Sequence, residues 1–213
     1  MGTTSLPRQE IAGHGPSQTL RKAVLALAAA LALAFVIVGE SRWPDGGVAH
    51  ESIEWAGFAL IVICIVGRTW STLYIGGRKN DVLVTEGPYS ITRNPLYLFS
   101  IVGAAGAGAQ LGSVTAALAA GFIAWTVFRW TARREEAAIL AAFPQDYPRY
   151  VARVPRFLPK LSLWNAPATI VVHPRTVATT FLDALVFLAA IPLAEAFDYL
   201  HGSGILPVYL TIP

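Results

Sequence analysis

The sequence is poor in charge and nearly devoid of cysteine. Asp, Glu, Lys and Arg make up 14% of its 213 residues, against about 25% in a soluble domain. That is too little charge to coat a water-facing surface. With 54% apolar residues and a mean hydropathy of +0.53, the fitting solvent for the excess is lipid. The one cysteine, Cys64, lies inside an apolar run, so no disulfide forms within the chain and no Cys/His ligand spacing exists. The four histidines, His14, His50, His173 and His201, are scattered through connecting segments, and no metal site is expected. No dinucleotide fingerprint is present either: the Gly/Ala run 103–112 has the wrong spacing and follows no strand. The net charge is +3. The basic residues cluster between apolar runs, which fits a membrane surface and not a nucleic-acid partner. The length allows one compact unit.

What is present is a series of apolar runs. Ala23–Gly39 follows Arg21 and Lys22 and is just long enough to cross a bilayer as a helix. It exceeds the usual apolar core of a signal peptide, and no small-residue cleavage site follows it. A second span covers about Trp55–Tyr74. Arg68 interrupts it and is expected to lift its head to the interface, with a charge facing a polar cavity as the alternative. The stretch 94–128 carries no charge and as one helix would run about 52 Å, too long for a hydrocarbon core of about 30 Å. Two helices turning at Gly112-Ser113 fit better, and small residues such as Gly103, Gly106, Ala117 and Gly121 predict close packing between them. A fifth span, about Val177–Phe197, contains Asp183, expected either at the interface or facing the bundle. Counted by loop, 15 of the 16 basic residues, all but Arg42, fall on one side if there are five spans. The excess of Lys and Arg on inner loops then puts the N-terminus in the cytoplasm and the C-terminus outside. The expected architecture is an all-α, polytopic membrane helix bundle of about five transmembrane helices with a cytoplasmic catalytic pocket. Residues 1–75 hold the first two spans, 76–160 the core, and 161–213 a linker and the last span.

Two polar segments, 76–97 and 129–159, stand apart from this apolar background. Both are Pro-punctuated and aromatic, and the hairpin brings them to the same face. Gly87-Pro88 marks a turn. Pro95 suits the first turn of the following helix, with Asn94 placed to cap it. Arg133, Arg134, Glu135 and Glu136 lie on a helical extension of the fourth span. Successive helical residues point about 100° apart, so only one of the two glutamates can face fully inward. Read without context, this is a solvated charge run. Arg149, Arg153 and Arg156, interleaved with Tyr147, Tyr150 and Phe157, form a basic-aromatic stretch suited to an anionic headgroup or to an anionic lipid surface.

The string G-P-Y-x-x-x-R-N-P-x-Y at 87–97 is followed, after one apolar hairpin, by R-E-E-x-x-x-L-x-x-x-F-P-x-x-Y-x-x-Y-x-x-x-V-P at 134–155. Over roughly residues 76–160 this resembles the isoprenylcysteine carboxyl methyltransferases and their relatives, the phospholipid methyltransferases. The resemblance implies S-adenosylmethionine as cofactor, held without a Rossmann fold. By position, Asp81, Val82, Leu83, Val84, Tyr89, Asn94, Pro95, Leu96, Tyr97 and Glu135 should line it. Many relatives carry histidine where this chain has Asn94, and asparagine does not titrate, so no imidazole base is available there. A family arginine falls at Thr131; Arg129, Arg133 and Arg134 are its neighbours, and Arg129 and Arg133 are assigned to the substrate. Glu135, Glu136, Arg134 and Tyr97 are the expected catalytic set. Aromatic rings suit a sulfonium, and Glu136 is the base an amine acceptor would need. The acceptor implied is a lipid or prenylated small molecule entering sideways from the bilayer. Phospholipid N-methylation is the nearest alternative. An NADPH-dependent membrane reductase of related architecture and a non-enzymatic transporter or assembly factor are more distant ones. A transporter should show mid-bilayer charges or inverted repeats, and Asp183 alone answers to that. The Ala/Gly/Arg-rich composition points to a bacterial inner membrane.

Overall fold

The computed structural model describes residues 39–76 and 82–212. The first expected span and Asp81 lie outside them. Seven α-helices occur among the described residues: α1 (Val48–Ile75), α2 (Pro88–Ile91), α3 (Pro95–Ala109), α4 (Val114–Ala142), α5 (Asp146–Arg153), α6 (Pro174–Ala184) and α7 (Ala190–Gly202). A single turn of 3₁₀ helix, Leu161–Leu163, precedes α6, and a 3₁₀ stretch, Leu185–Ala189, joins α6 to α7. The only extended pairing described is a three-residue parallel contact between β1 (Gly39–Ser41) and β2 (Leu210–Ile212), with Gly39 opposite Leu210. The protein is an all-α membrane helix bundle.

Among the described residues, three stretches are long and apolar enough to cross a membrane: Val48–Ile75, Val114–Ala142 and Pro174–Gly202. The second expected span therefore begins seven residues earlier than its apolar run, because the polar turn His50–Glu54 is helical too. The expected fifth span is present but broken. Pro192 has no N–H and its ring crowds the carbonyl four residues back, and the helix tightens to 3₁₀ geometry over the preceding turn, Leu185–Ala189. Asp183 is exposed on its outer surface. The first arm of the hairpin, α3, has 15 residues and so runs only about 22 Å, short of a full crossing.

The hairpin forms as its composition dictates. Pro95 occupies the first turn of α3, where its missing N–H costs nothing. Ser113 caps α4 by accepting from the Ala116 N–H at 3.1 Å. Small residues then let α3 sit against both α1 and α4. A Cβ on Gly106 would lie 2.7 Å from the Gly57 carbonyl oxygen in α1, and one on Gly108 would strike the Ala116 carbonyl in α4. Arg68 does not lift to the interface as expected. Its guanidinium turns into the bundle and donates to Ser100 Oγ in α3, because Ser100 offers an acceptor across the helix contact.

The turn at Gly112 has φ 59°, a left-handed conformation that side chains resist, and a Cβ there would also collide with the His50 ring. Gly112→Ala should therefore destabilise the protein by about 1–3 kcal/mol from backbone strain alone. A thermal melt in detergent checks this, and an unchanged melting temperature would show that the turn relaxes freely.

Candidate active site at the polar end of the hairpin

The end of the hairpin opposite Gly112 gathers three stretches that are distant in sequence. These are residues 82–94 with α2, the polar extension of α4, and the chain after α5. Glu136 sits at their junction. Its Oε1 accepts from Arg93 Nη1 at 3.1 Å and Arg156 Nε at 3.0 Å, and its Oε2 accepts from Arg156 Nη2 at 2.6 Å. The Glu136 and Arg93 side chains are 12% and 10% exposed, so the charges need one another. Backbone bonds reinforce the junction: Arg93 N–H donates to the Pro155 carbonyl at 2.9 Å and Lys160 N–H to the Ile91 carbonyl at 2.9 Å. Thr92 Oγ1 donates to the carbonyls of Arg156 and Phe157, each at 3.1 Å. Gly87 N–H reaches the Asn165 carbonyl at 2.7 Å, and Asn165 N–H donates to Ser90 Oγ at 3.0 Å.

Asn94 does not cap α3 with its side chain. Its Nδ2 donates instead to the Arg156 carbonyl at 3.2 Å, so it ties the Asn-Pro loop to the returning chain.

Behind this node lies an aromatic layer. Tyr150 Oη donates to the Tyr89 carbonyl at 2.7 Å. Tyr89 is buried, and its own hydroxyl has no hydrogen-bond partner. Burial pushes that hydroxyl's pKa well up, with Tyr150, Tyr97 and Glu135 adding to the rise, so it stays protonated as a donor. Tyr97, in the first turn of α3, stacks on Phe128 of α4 with ring centres 4.9 Å apart. Tyr147 is also buried, and burial and the neighbouring Glu136 raise its pKa against the opposing pull of Arg93. Two clefts open here. One, of about 490 Å³, is lined by Val82, Leu83, Thr85, Phe143, Tyr150 and Arg153 among others. The other, of about 500 Å³, is lined by Arg93, Arg133, Glu136, Tyr147 and Arg156 with Leu140 and Val151. Both volumes suit a small organic ligand.

Of the residues singled out from sequence, Val82, Leu83, Val84, Tyr89, Asn94, Pro95, Leu96, Tyr97, Glu135 and Glu136 lie at this one end of the bundle. Arg133 lines the second cleft. Arg134 and Arg129 are turned elsewhere: each guanidinium lies over a tryptophan four residues back on α4, Trp130 at 3.9 Å and Trp125 at 5.3 Å. Arg134 is exposed and makes no bond to Glu136. Glu136 does not stand as a spare base, because both its oxygens are taken by guanidinium donors. Arg93 joins the site although its only sequence signal is its place directly before Asn94-Pro95, and Arg156, expected at an anionic headgroup or an anionic lipid surface, pairs with Glu136.

The described helices thus set a polar, aromatic and cationic node at one end of an apolar helical hairpin. Residues 53–146 match the family described as phospholipid methyltransferase, and the chain belongs to that family. It is 37% identical over 182 residues to a cobalt-zinc-cadmium resistance protein of Cupriavidus metallidurans, covering 84% of this chain and 82% of that protein. It is 32% identical over 178 residues to a nickel-cobalt-cadmium resistance protein of Alcaligenes xylosoxydans xylosoxydans, covering 84% and 83%. A protein-S-isoprenylcysteine O-methyltransferase of Schizosaccharomyces pombe is 30% identical over 94 residues, 44% of this chain and 40% of that enzyme. No solved structure matches the chain.

Proposed function

We propose that this protein is an S-adenosylmethionine-dependent methyltransferase of a bacterial inner membrane, acting on a lipid-like acceptor from the cytoplasmic face. The observation that carries this reading is the buried Tyr89 hydroxyl, a protonated donor without a partner, set beside Tyr97 and Glu135. A buried donor left unsatisfied costs about 1–3 kcal/mol, and a polar small molecule in that position would recover it. The cofactor, when bound, supplies an electrophilic methyl group on a sulfonium. The protein's part is to hold and orient. Tyr97 and Tyr89 present aromatic surface to positive charge. Glu135 accepts hydrogen bonds from amino or hydroxyl groups, and the loop at Val82, Leu83 and Val84 covers the apolar side.

The Arg93–Glu136–Arg156 node locks the loop before α3 to α4, which favours in-line displacement by positioning. With two cations on one carboxylate, the node keeps a positive field that suits an acceptor bearing a carboxylate or phosphate. Arg133, on the rim of the same cleft, is the assigned acceptor contact. The orientation rests on the clustering of basic residues at this end, including Arg93, Arg133, Arg149, Arg153 and Arg156.

The test is transfer of a tritiated methyl group from S-adenosylmethionine to total membrane lipids and to a prenylcysteine analogue, with purified protein in lipid nanodiscs. Label in an extractable lipid or in the analogue is expected. Absence of both transfer and S-adenosylhomocysteine binding, with NADPH bound instead, would return the reductase reading.

A further inference from the structure

At the other end of the bundle the fold assembles a cluster that its scattered histidines do not announce. His50 and Glu54 stand one turn apart at the start of α1, and Asp198 arrives from α7. One ligand atom from each lies within 4.8 Å of the others. We propose that His50, Glu54 and Asp198 bind a divalent transition-metal ion such as Zn²⁺ or Co²⁺.

The hydrogen bonds of His50 prepare it as a ligand. Its Nδ1 faces the Trp43 carbonyl oxygen at 3.2 Å. A carbonyl only accepts, so Nδ1 carries the proton. Nε2 faces Glu54 Oε1 at 3.2 Å, and an Asp198 oxygen is close by, so a metal ion would take the place of the proton that these groups share. A lone pair and two carboxylates turned on one another attract a cation. A ring nitrogen held by a backbone carbonyl on its far side is the usual outer-shell arrangement of a metal-bound histidine.

The surroundings hold the ring in place. His50 is 2% exposed and packs on Gly112, where a Cβ would collide with it. Gln110 Nε2 donates to the Glu54 carbonyl at 2.9 Å, and Ser41 Oγ donates to the Gly112 carbonyl at 2.8 Å. Asp45 and Glu195 stand near enough to add to the negative field.

The donor set selects the ion. One imidazole and two carboxylates suit zinc or cobalt, whereas calcium and magnesium prefer oxygen-only shells of six or more ligands. Ligand atoms on a tetrahedral zinc with bonds of about 2.1 Å are about 3.4 Å apart, so closure asks for side-chain rotations of about 1 Å. Three protein ligands leave a coordination position open.

The site is separate from the methyltransferase reading, since it lies at the opposite end of α3 and shares no residue with it. The experiment titrates full-length protein in detergent, with any affinity tag removed, with Co²⁺ followed by visible d–d absorption and with Zn²⁺ against a chromophoric chelator. One equivalent should bind. Asp198→Asn and His50→Ala should weaken binding about 100-fold, and Asp183→Asn, on the exposed surface of α6, should not. Zn²⁺ should raise the melting temperature of the wild type and of Asp183→Asn, but not of Asp198→Asn. If His50→Ala does not fold, Asp198→Asn decides the question. No saturable binding by the wild type, or undiminished binding by Asp198→Asn, overturns the proposal.

Discussion

Replacing Glu136 with alanine should lower the melting temperature of the detergent-solubilised protein by about 10 °C and remove methyl transfer with it. The carboxylate bridges Arg93 and Arg156, and the Glu136 and Arg93 side chains are 12% and 10% exposed. Removing one partner of a buried ion cluster costs about 3–5 kcal/mol, because the remaining charges lose their compensation. Arg156 is 27% exposed, and water screens it in part, which places the loss near the lower end, about 3 kcal/mol. For a chain of this size each kcal/mol moves the midpoint by about 2–4 °C. Replacing the whole cluster, with Arg93→Met and Arg156→Met added to Glu136→Ala, should recover much of the stability, since apolar replacement of a complete buried ion cluster is often neutral. It should not recover activity, because the positive node is gone. A wild-type melting temperature for Glu136→Ala would show that backbone bonds alone hold the three stretches together.

Binding of S-adenosylhomocysteine should weaken about 10- to 100-fold in Glu135→Ala while the protein stays folded, the loss expected for a hydrogen bond to a charged group. Tyr97→Ala should behave alike for a different reason. Its ring is stacked on Phe128 at 4.9 Å, so its removal takes away both an aromatic surface and the packing that orders the first turn of α3. Tyr97→Phe keeps both and should bind nearly as the wild type does. Calorimetric titration reads all three variants. Wild-type affinity in Glu135→Ala or Tyr97→Ala would place the cofactor away from these two side chains.

These outcomes separate what a linear reading can see from what it cannot. Low charge and long apolar runs identify membrane helices because transfer to lipid depends on composition over a window, a local property. The Gly112-Ser113 turn, Pro95 in the first turn of α3 and the small-residue packing of the hairpin were legible for the same reason: each is a short-range steric or hydrogen-bonding rule acting on neighbours. The helical placement of His50 and Glu54, four residues apart on one face of α1, was legible in principle but masked by the polar run that contains them.

The partners that meet across the fold were not legible. Asn94 looked like a cap because its neighbours allow it, yet its amide is used by a carbonyl 62 residues away. From sequence Glu136 reads as a spare base and Arg156 as a contact for an anionic headgroup or lipid surface, yet the chain after α5 brings them within 2.6 Å. Arg68 looked bound for the interface, and Ser100 on a different helix drew it inward. Sequence alone therefore determined that this protein lives in a membrane, that its core is a tight helical hairpin, and which polar segments flank it. Tertiary structure alone decided which charges neutralise one another and which donors are left for a ligand, because a buried charge is governed by whatever the fold places within a few ångströms of it.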